Sequence, residues 1–341
     1  MRAAVYQGAF DIRPQEVPLP VLQEGEVLIK VGYAGICGSD LTIYLGIHRR
    51  AKAPLIMGHE FSGTVVEVKG ESGGFSVGDR VVVEPMLACG ECPSCKEGFY
   101  YLCDRFGLIG VDVDGAFAEY VRAPVGRVYH LPDAVSLESG ALIEPVAVAV
   151  HAVRRSRLEL GARAVVLGAG PIGLLVAQVA RVVASVPVEM MEVSDFRLER
   201  ARELGFDPVD GKNADVKAEI LRRTDGRGAD VLFDAAGVAS TVQQHPLLVR
   251  KRGQVVMVAM PKEPMAVDFV SSNLKELETV GCMVYNAQDY RAAISLVAQG
   301  KIDVKPLISH VLPLERAKEG LELAKQAKTA VKVLVSPLVE G

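Results

Sequence analysis

Tryptophan is absent from the 341 residues, and asparagine occurs only at Asn213, Asn273 and Asn286. Scarcity of a thermolabile side chain points to a heat-adapted source. Long apolar runs are also missing. The strongest windows, "ALIEPVAVAVHAV" (141–153) and "ARAVVLGAGPIGLLVAQVA" (162–180), are broken by charge, Pro or Gly, so no membrane span is expected. The opening "MRAAVYQGAF" has no apolar core segment, which argues against a secretory signal. Basic residues cluster only as "HRR" (48–50) and "RKR" (250–252) in a chain of net charge −4. Nucleic acid is therefore not an expected partner. These absences leave a cytoplasmic protein, where closely spaced cysteines favour metal or redox roles over disulfides.

What is present suits two domains: 341 residues, half of them hydrophobic, with 33 Gly and 18 Pro. The first 85 residues alternate short β-rich runs with turns, among them "EVLIKVGYAGI", "FSGTVVEVKG" and "VGDRVVVEP", and predict a partly closed β-sheet. Near residue 140 the pattern changes. "ARAVVLGAG" reads as a strand, "PIGLLVAQVARVVA" as a helix, "VPVEMMEV" as a strand, "SDFRLERARELG" as a helix and "DVLFDAAG" as a strand. That alternation predicts a doubly wound parallel sheet. From about 286, "YRAAISLVAQGKI" and "AVKVLVSPL" read as a helix and a strand able to rejoin the first domain.

Gly168-Ala169-Gly170-Pro171-Ile172-Gly173 fits G-x-G-x-x-G between a strand and a helix. The first Gly serves the tight turn, the second the approach of a pyrophosphate, the third close helix packing. Glu192, nineteen residues past Gly173 at the end of the next strand, can accept the ribose hydroxyls and repel a 2′-phosphate. The expected cofactor is NAD.

Four of the six cysteines, Cys89, Cys92, Cys95 and Cys103, lie in "ACGECPSCKEGFYYLC". Four thiolates fill a tetrahedral zinc and leave no open position, the signature of a structural site. Cys37 in "GICGSD", His59 and Glu60 in "GHEFSG", and Glu144 in "LIEPVA" are scattered candidates for a catalytic zinc, which needs three ligands and one open position.

Taken in order, "GICGSD", "GHEFSG", "VGDRVVVEP", the cysteine lobe, "GALIEPVAVAVHAV" and "GAGPIG" resemble the zinc-dependent medium-chain alcohol dehydrogenases of the sorbitol, threonine and 2,3-butanediol branch. The resemblance implies an α/β protein with a GroES-like β-rich catalytic domain over 1–147, carrying the structural zinc lobe at about 86–105. It implies a Rossmann-type NAD domain over 148–285 and a return to the catalytic domain over 286–341. By the same resemblance, Cys37 and His59 match catalytic zinc ligands, with Glu144 as the resting third ligand and Glu60 exchanging in. Asp40 matches the acid that fixes the His59 tautomer, and Ser39 the hydroxyl that takes the substrate proton. His48 either extends that relay or is a surface histidine. Arg197 either contacts the adenine ribose or is an exposed helix charge. His130, His151, His245 and His310 match no ligand position, His151 reading as a packed core residue and Cys282 as apolar filler. Asp112 and Asp114 read as a turn.

The implied activity is reversible oxidation of a secondary alcohol, a vicinal diol such as 2,3-butanediol or a polyol, by a homotetramer or homodimer. L-threonine 3-dehydrogenase activity is the alternative. Sorbitol dehydrogenases carry an Arg-Tyr pair where this chain reads Val284-Tyr285. Rival classes are a non-enzymatic zinc module, a thiol–disulfide oxidoreductase and a zinc-free quinone reductase. Zinc content separates them: two per chain for the dehydrogenase, none for the last two.

Overall fold

Alternation of apolar residues makes "EVLIKVGYAG" the strand Glu26–Gly35, the spine of a seven-stranded sheet. Across that sheet the order is Val128–His130, Arg80–Val83, Glu60–Lys69, Glu26–Gly35, Lys332–Ser336 and Ile308–Pro313, with Tyr120–Pro124 also paired to Glu26–Gly35. A smaller sheet joins Asp11–Glu16, Arg2–Gly8 and Leu55–Ile56. Val27, Ile29, Val31, Val65, Val81, Phe117, Val333 and Val335 belong to the core these strands enclose. This is the β-rich half expected from the first 85 residues.

The computed structural model describes residues 1–339. It separates a discontinuous unit, Met1–Glu144 with the chain from Leu307 onward, from a continuous one, Pro145–Pro306. The continuous unit is a six-stranded parallel sheet in the order Val209–Asp210, Val188–Glu192, Ala164–Leu167, Ala229–Asp234, Val249–Met257, Glu278–Gly281. Numbered along the chain this is 3-2-1-4-5-6, the dinucleotide-binding arrangement. Helix Pro171–Ala184 buries Leu174, Leu175, Val176, Ala177, Val179 and Ala180 and opens with Pro at its first position, where the missing N–H costs nothing.

The units divide at 144/145 and 306/307, whereas the expected bounds were 147/148 and 285/286. The later return has a polar cause. Asp289, on helix Ala287–Ala298, accepts from His151 Nδ1 at 2.7 Å and Arg154 Nη1 at 2.9 Å, both on helix Ile143–Arg154. Gln178 then exchanges two hydrogen bonds with the backbone of Asp303, at 3.0 and 2.8 Å. Residues 287–306 are thus tied to the continuous unit. His151 is a packed, buried residue as expected, with its Nδ1 set against Asp289 Oδ2.

Candidate active site and metal centres

Cys37 precedes helix Gly38–Tyr44, whose first turn presents Ser39 and Asp40. Asp40 Oδ2 accepts the Cys37 N–H at 2.8 Å, fixing the turn that carries the thiol. His59 and Glu60 arrive at the start of strand Glu60–Lys69, where Glu60 pairs in register with Gly35. A Cβ on Gly35 would overlap the Glu60 carboxylate. This is the reason for the glycine in "GIC": it leaves space for the acid to lie over the strand.

Cys37, His59 and Glu60 bring one ligand atom each to within 4.8 Å of one another. His59 turns Nδ1 toward Asp40 Oδ1, 3.7 Å away, and Nε2 toward Ser39 Oγ, 3.4 Å away. Neither His59 Nδ1 nor Asp40 Oδ1 has a hydrogen-bond partner among the described residues. Burial opposes a charge on His59, but the Asp40 carboxylate and the Cys37 sulfur outweigh it and raise its pKa well above the ordinary value. A half-buried thiol with a buried imidazole and carboxylate, focused on one point, forms a donor set suited to a divalent cation. Such a cation would neutralise the charge they concentrate. The residues present therefore fit zinc.

Glu144 is not in this cluster. It lies buried in the first turn of helix Ile143–Arg154, and the acid grouped with Cys37 and His59 in this arrangement is Glu60. The physical reason is adjacency: Glu60 follows His59 directly and is steered inward by its pairing with Gly35. Glu60 also meets a residue that the motifs did not single out. Lys332 Nζ donates to Glu60 Oε1 and Oε2 at 2.9 and 2.6 Å and to Ile36 O at 3.1 Å. Burial alone would lower the Lys332 pKa; Glu60, then Cys37 and Glu144, reverse that and raise it. The signal lies in "TAVKVLVS", where every residue of strand Lys332–Ser336 is buried. A lysine inside such a strand needs an anion.

His48 is half-buried, its Nδ1 accepting from Ala51 N at 3.1 Å and Arg50 N at 3.3 Å. Burial and Arg50 hold its pKa below the ordinary value, while Asp40 and His59 are close enough to act on it. Asp112 accepts the backbone N–H of Leu108 at 2.9 Å, as a turn residue does, and Asp114 accepts that of the distant Ile56 at 2.9 Å. Cys282 is isolated, its thiol pushed up to about 12 by burial.

In the cysteine lobe, Cys89 Sγ lies 3.4 Å from Cys103 Sγ and 3.9 Å from Cys95 Sγ, and Cys92 Sγ lies 3.9 Å from Cys103 Sγ. Zinc–sulfur bonds of about 2.3 Å in a tetrahedron place sulfurs about 3.8 Å apart. The lobe is already at that spacing, with no disulfide among the described residues. Backbone N–H groups of Cys89, Cys92 and Arg105 point at the sulfurs, at 3.3 to 3.4 Å. Four such thiols cannot all ionise side by side. The Cys92 amide draws Cys89 down to about 6, while desolvation and hydrogen bonding to Cys92 push Cys95 up to about 12. A tetrahedral cation removes that conflict. The lobe is anchored by buried Glu84, which accepts from Tyr100 at 2.7 Å, Tyr129 at 2.9 Å and Arg127 at 2.6 Å.

In the continuous unit, the three glycines differ in the way the dinucleotide motif requires. Gly168 sits at φ +94, and a Cβ on Gly173 would overlap the Gly168 carbonyl. Gly170 has ordinary φ −68, and a Cβ there would meet nothing nearer than Arg197 Nη1 at 3.9 Å. Its hydrogen faces open space that the fold does not use. Pro171 and Ile172 begin the helix whose free N–H groups face this loop. Glu192 is buried and accepts from Ala169 N at 2.7 Å, Val193 N at 2.7 Å and Ser194 N at 2.8 Å. Arg197 Nη1 lies 4.0 Å from Glu192, so its side chain leans over the loop instead of standing free on the helix.

Comparison with known proteins identifies the family of both units. Residues 23–133 match the alcohol dehydrogenase GroES-like domain and residues 171–299 the zinc-binding dehydrogenase domain. A 2-dehydro-3-deoxy-L-galactonate 5-dehydrogenase of Pseudoalteromonas atlantica is 42% identical over 92% of each chain. A sorbitol dehydrogenase of Bacillus subtilis is 35% identical over 99% of this chain and 97% of its own. The crystal structure of 2R,3R-butanediol dehydrogenase from Bacillus subtilis superposes with a TM-score of 0.91 at 36% identity, covering 98% of this chain and 99% of that one.

Proposed function

The chain belongs to the zinc-dependent medium-chain alcohol dehydrogenases, sorbitol dehydrogenase branch, and from that premise we propose that it oxidises a secondary alcohol of a polyol, vicinal diol or sugar acid to a ketone, with NAD. The observation that carries the reading is the convergence of Cys37, His59 and Glu60 beside Ser39. When bound, zinc at Cys37, His59 and Glu60 supplies Lewis acidity toward an alcohol, and the dinucleotide supplies the hydride acceptor.

The remaining steps belong to this chain's own residues. Asp40 Oδ1, 3.7 Å from His59 Nδ1, is the acceptor that would take Nδ1–H and leave Nε2 free for a metal. Ser39 Oγ, 3.4 Å from that nitrogen, accepts the substrate proton. His48, kept neutral near pH 7 by its lowered pKa, receives it next and releases it toward solvent. Lys332 neutralises Glu60 when that carboxylate is not on the metal, and Glu144 is the second acid able to exchange in. Glu192 takes the adenosine ribose hydroxyls and disfavours a 2′-phosphate, with Arg197 over the same ribose.

A screen of NAD reduction over 2,3-butanediol stereoisomers, C5 and C6 polyols, sugar acids and L-threonine tests the substrate class. We expect the highest kcat/KM among the diols, polyols and sugar acids. Preferred turnover of L-threonine would replace this reading with the amino-alcohol one.

Two further assignments accompany it. Strand Glu278–Gly281 closes the parallel sheet with an open edge, and the preceding helix Phe269–Leu274 exposes Phe269, Val270 and Leu274. An edge strand beside apolar residues suits a second copy of the chain, and we assign a homodimer through this edge, or a tetramer of two such pairs. The six unpaired cysteines suit a reducing cytoplasm. Among the described residues no helix is long and apolar enough to cross a membrane.

A further inference from the structure

The strand order 3-2-1-4-5-6 reverses direction between Ala164–Leu167 and Ala229–Asp234. Ligands of such sheets sit at the carboxyl ends of the strands flanking that reversal. One wall of this crevice is the glycine loop after Leu167. The other is the turn after Asp234, residues 235–237, and the two walls touch. A Cβ on Gly168 would lie 3.2 Å from Ala236 Cβ, and one on Gly173 would lie 3.4 Å from Ala235 Cβ.

What holds the second wall is Asp234, fully buried at its strand end. Its Oδ1 accepts from Ala236 N at 3.0 Å and Gly237 N at 2.8 Å. Its Oδ2 accepts from Thr241 Oγ1 at 2.8 Å and from His245 Nε2 at 2.8 Å. Its backbone carbonyl takes the N–H groups of Val258 and Ala259 at 3.0 and 2.9 Å, tying the turn to the next strand. One oxygen therefore grips the wall, and the other is locked by two side chains from the following short helices. Burial raises the Asp234 pKa, but these donors, His245 first, more than offset it and keep the carboxylate ionised. His245 has no part in either metal centre.

We infer that His245 and Thr241, acting through Asp234, are positioning residues of the dinucleotide site: they stop the Asp234 carboxylate from rotating and so fix the turn that faces Gly168 and Gly173. The inference rests on the glycine motif being the dinucleotide site. Removing His245 leaves Oδ2 with Thr241 alone, and the carboxylate can then turn away from the Ala236 and Gly237 amides. The turn drifts, and the crevice no longer matches the cofactor.

The test is NADH binding by fluorescence titration of the zinc-loaded enzyme, alongside kcat and KM for NAD. His245→Leu is expected to raise the NADH Kd and the NAD KM together by about tenfold, the loss of one hydrogen bond to a buried charge. kcat at saturating NAD should stay within about twofold. His245→Gln, which restores a donor near the Nε2 position, should recover most of the affinity, and Thr241→Val should weaken binding in the same sense. Wild-type affinity in His245→Leu, or no recovery in His245→Gln, would overturn the inference. If His245→Leu fails to fold, Thr241→Val decides alone, and an unchanged Kd there rejects it. Gly170→Val separates this from the site itself: retained NADH binding in that variant would mean the cofactor lies elsewhere, whatever His245 does.

Discussion

At the scale of single residues, the sharpest evidence of function is a space. Gly168 is a glycine for its positive φ and Gly173 because the fold leaves a side chain no room, whereas Gly170 is a glycine in front of nothing. A position that tolerates a Cβ sterically and has an ordinary φ needs glycine for neither of those reasons. Gly170→Val should therefore still fold, with only the modest fall in Tm that a poorer N-cap brings, and lose NADH binding, checked by thermal melting and fluorescence titration on one sample. Cys37→Ser makes a complementary prediction. Zinc content should fall from two to one per chain and turnover should vanish, while NADH affinity stays near the parent value. Near-normal turnover in that variant would contradict a metal mechanism at this cluster.

At the scale of elements, the residues that chain-local spacing reveals are those that one loop can supply. The cysteine lobe wraps three sulfurs with one loop and closes it with Cys103, and the glycine turn needs only its own strand and helix. Both are legible in the amino-acid sequence alone. Lys332 is not, because its partner Glu60 lies 272 positions away and the strand that carries it looks like ordinary core. The place of Glu60 beside Cys37 is hidden for a related reason: it depends on the Gly35–Glu60 register across two strands. Breaking the Lys332–Glu60 pair tests this. Truncating one partner of a buried pair costs about 3–5 kcal/mol, so Lys332→Met should melt well below the parent without metal. Zinc should recover much of the loss by drawing Glu60 to itself, so an equal loss with and without zinc would separate Lys332 from the metal site. Cys92→Ser belongs to the same scale. It should lower the Tm through the lobe that Glu84 anchors and leave the catalytic cluster working. An unchanged melt with lost turnover would contradict a structural role.

At the scale of the whole molecule, the apolar surface of helix Phe269–Leu274 predicts assembly. Leu274, 77% exposed, is the position to test: Leu274→Glu should shift the light-scattering mass toward a single chain. An unchanged mass would place the interface elsewhere. The two-unit plan is readable from the switch between strand-rich and alternating patterns, but its second boundary is not. The pattern in 286–306 is a generic amphipathic helix, and only the Asp289 and Gln178 contacts decide which unit keeps it. That discontinuity also orders events during synthesis. The continuous unit is complete once residue 306 has left the ribosome, whereas the seven-stranded sheet still lacks two strands. Until Lys332 emerges, Glu60 lacks the buried lysine that pairs with it in the finished sheet. The two strands made last therefore bring both the end of the first unit's sheet and the charge partner of Glu60.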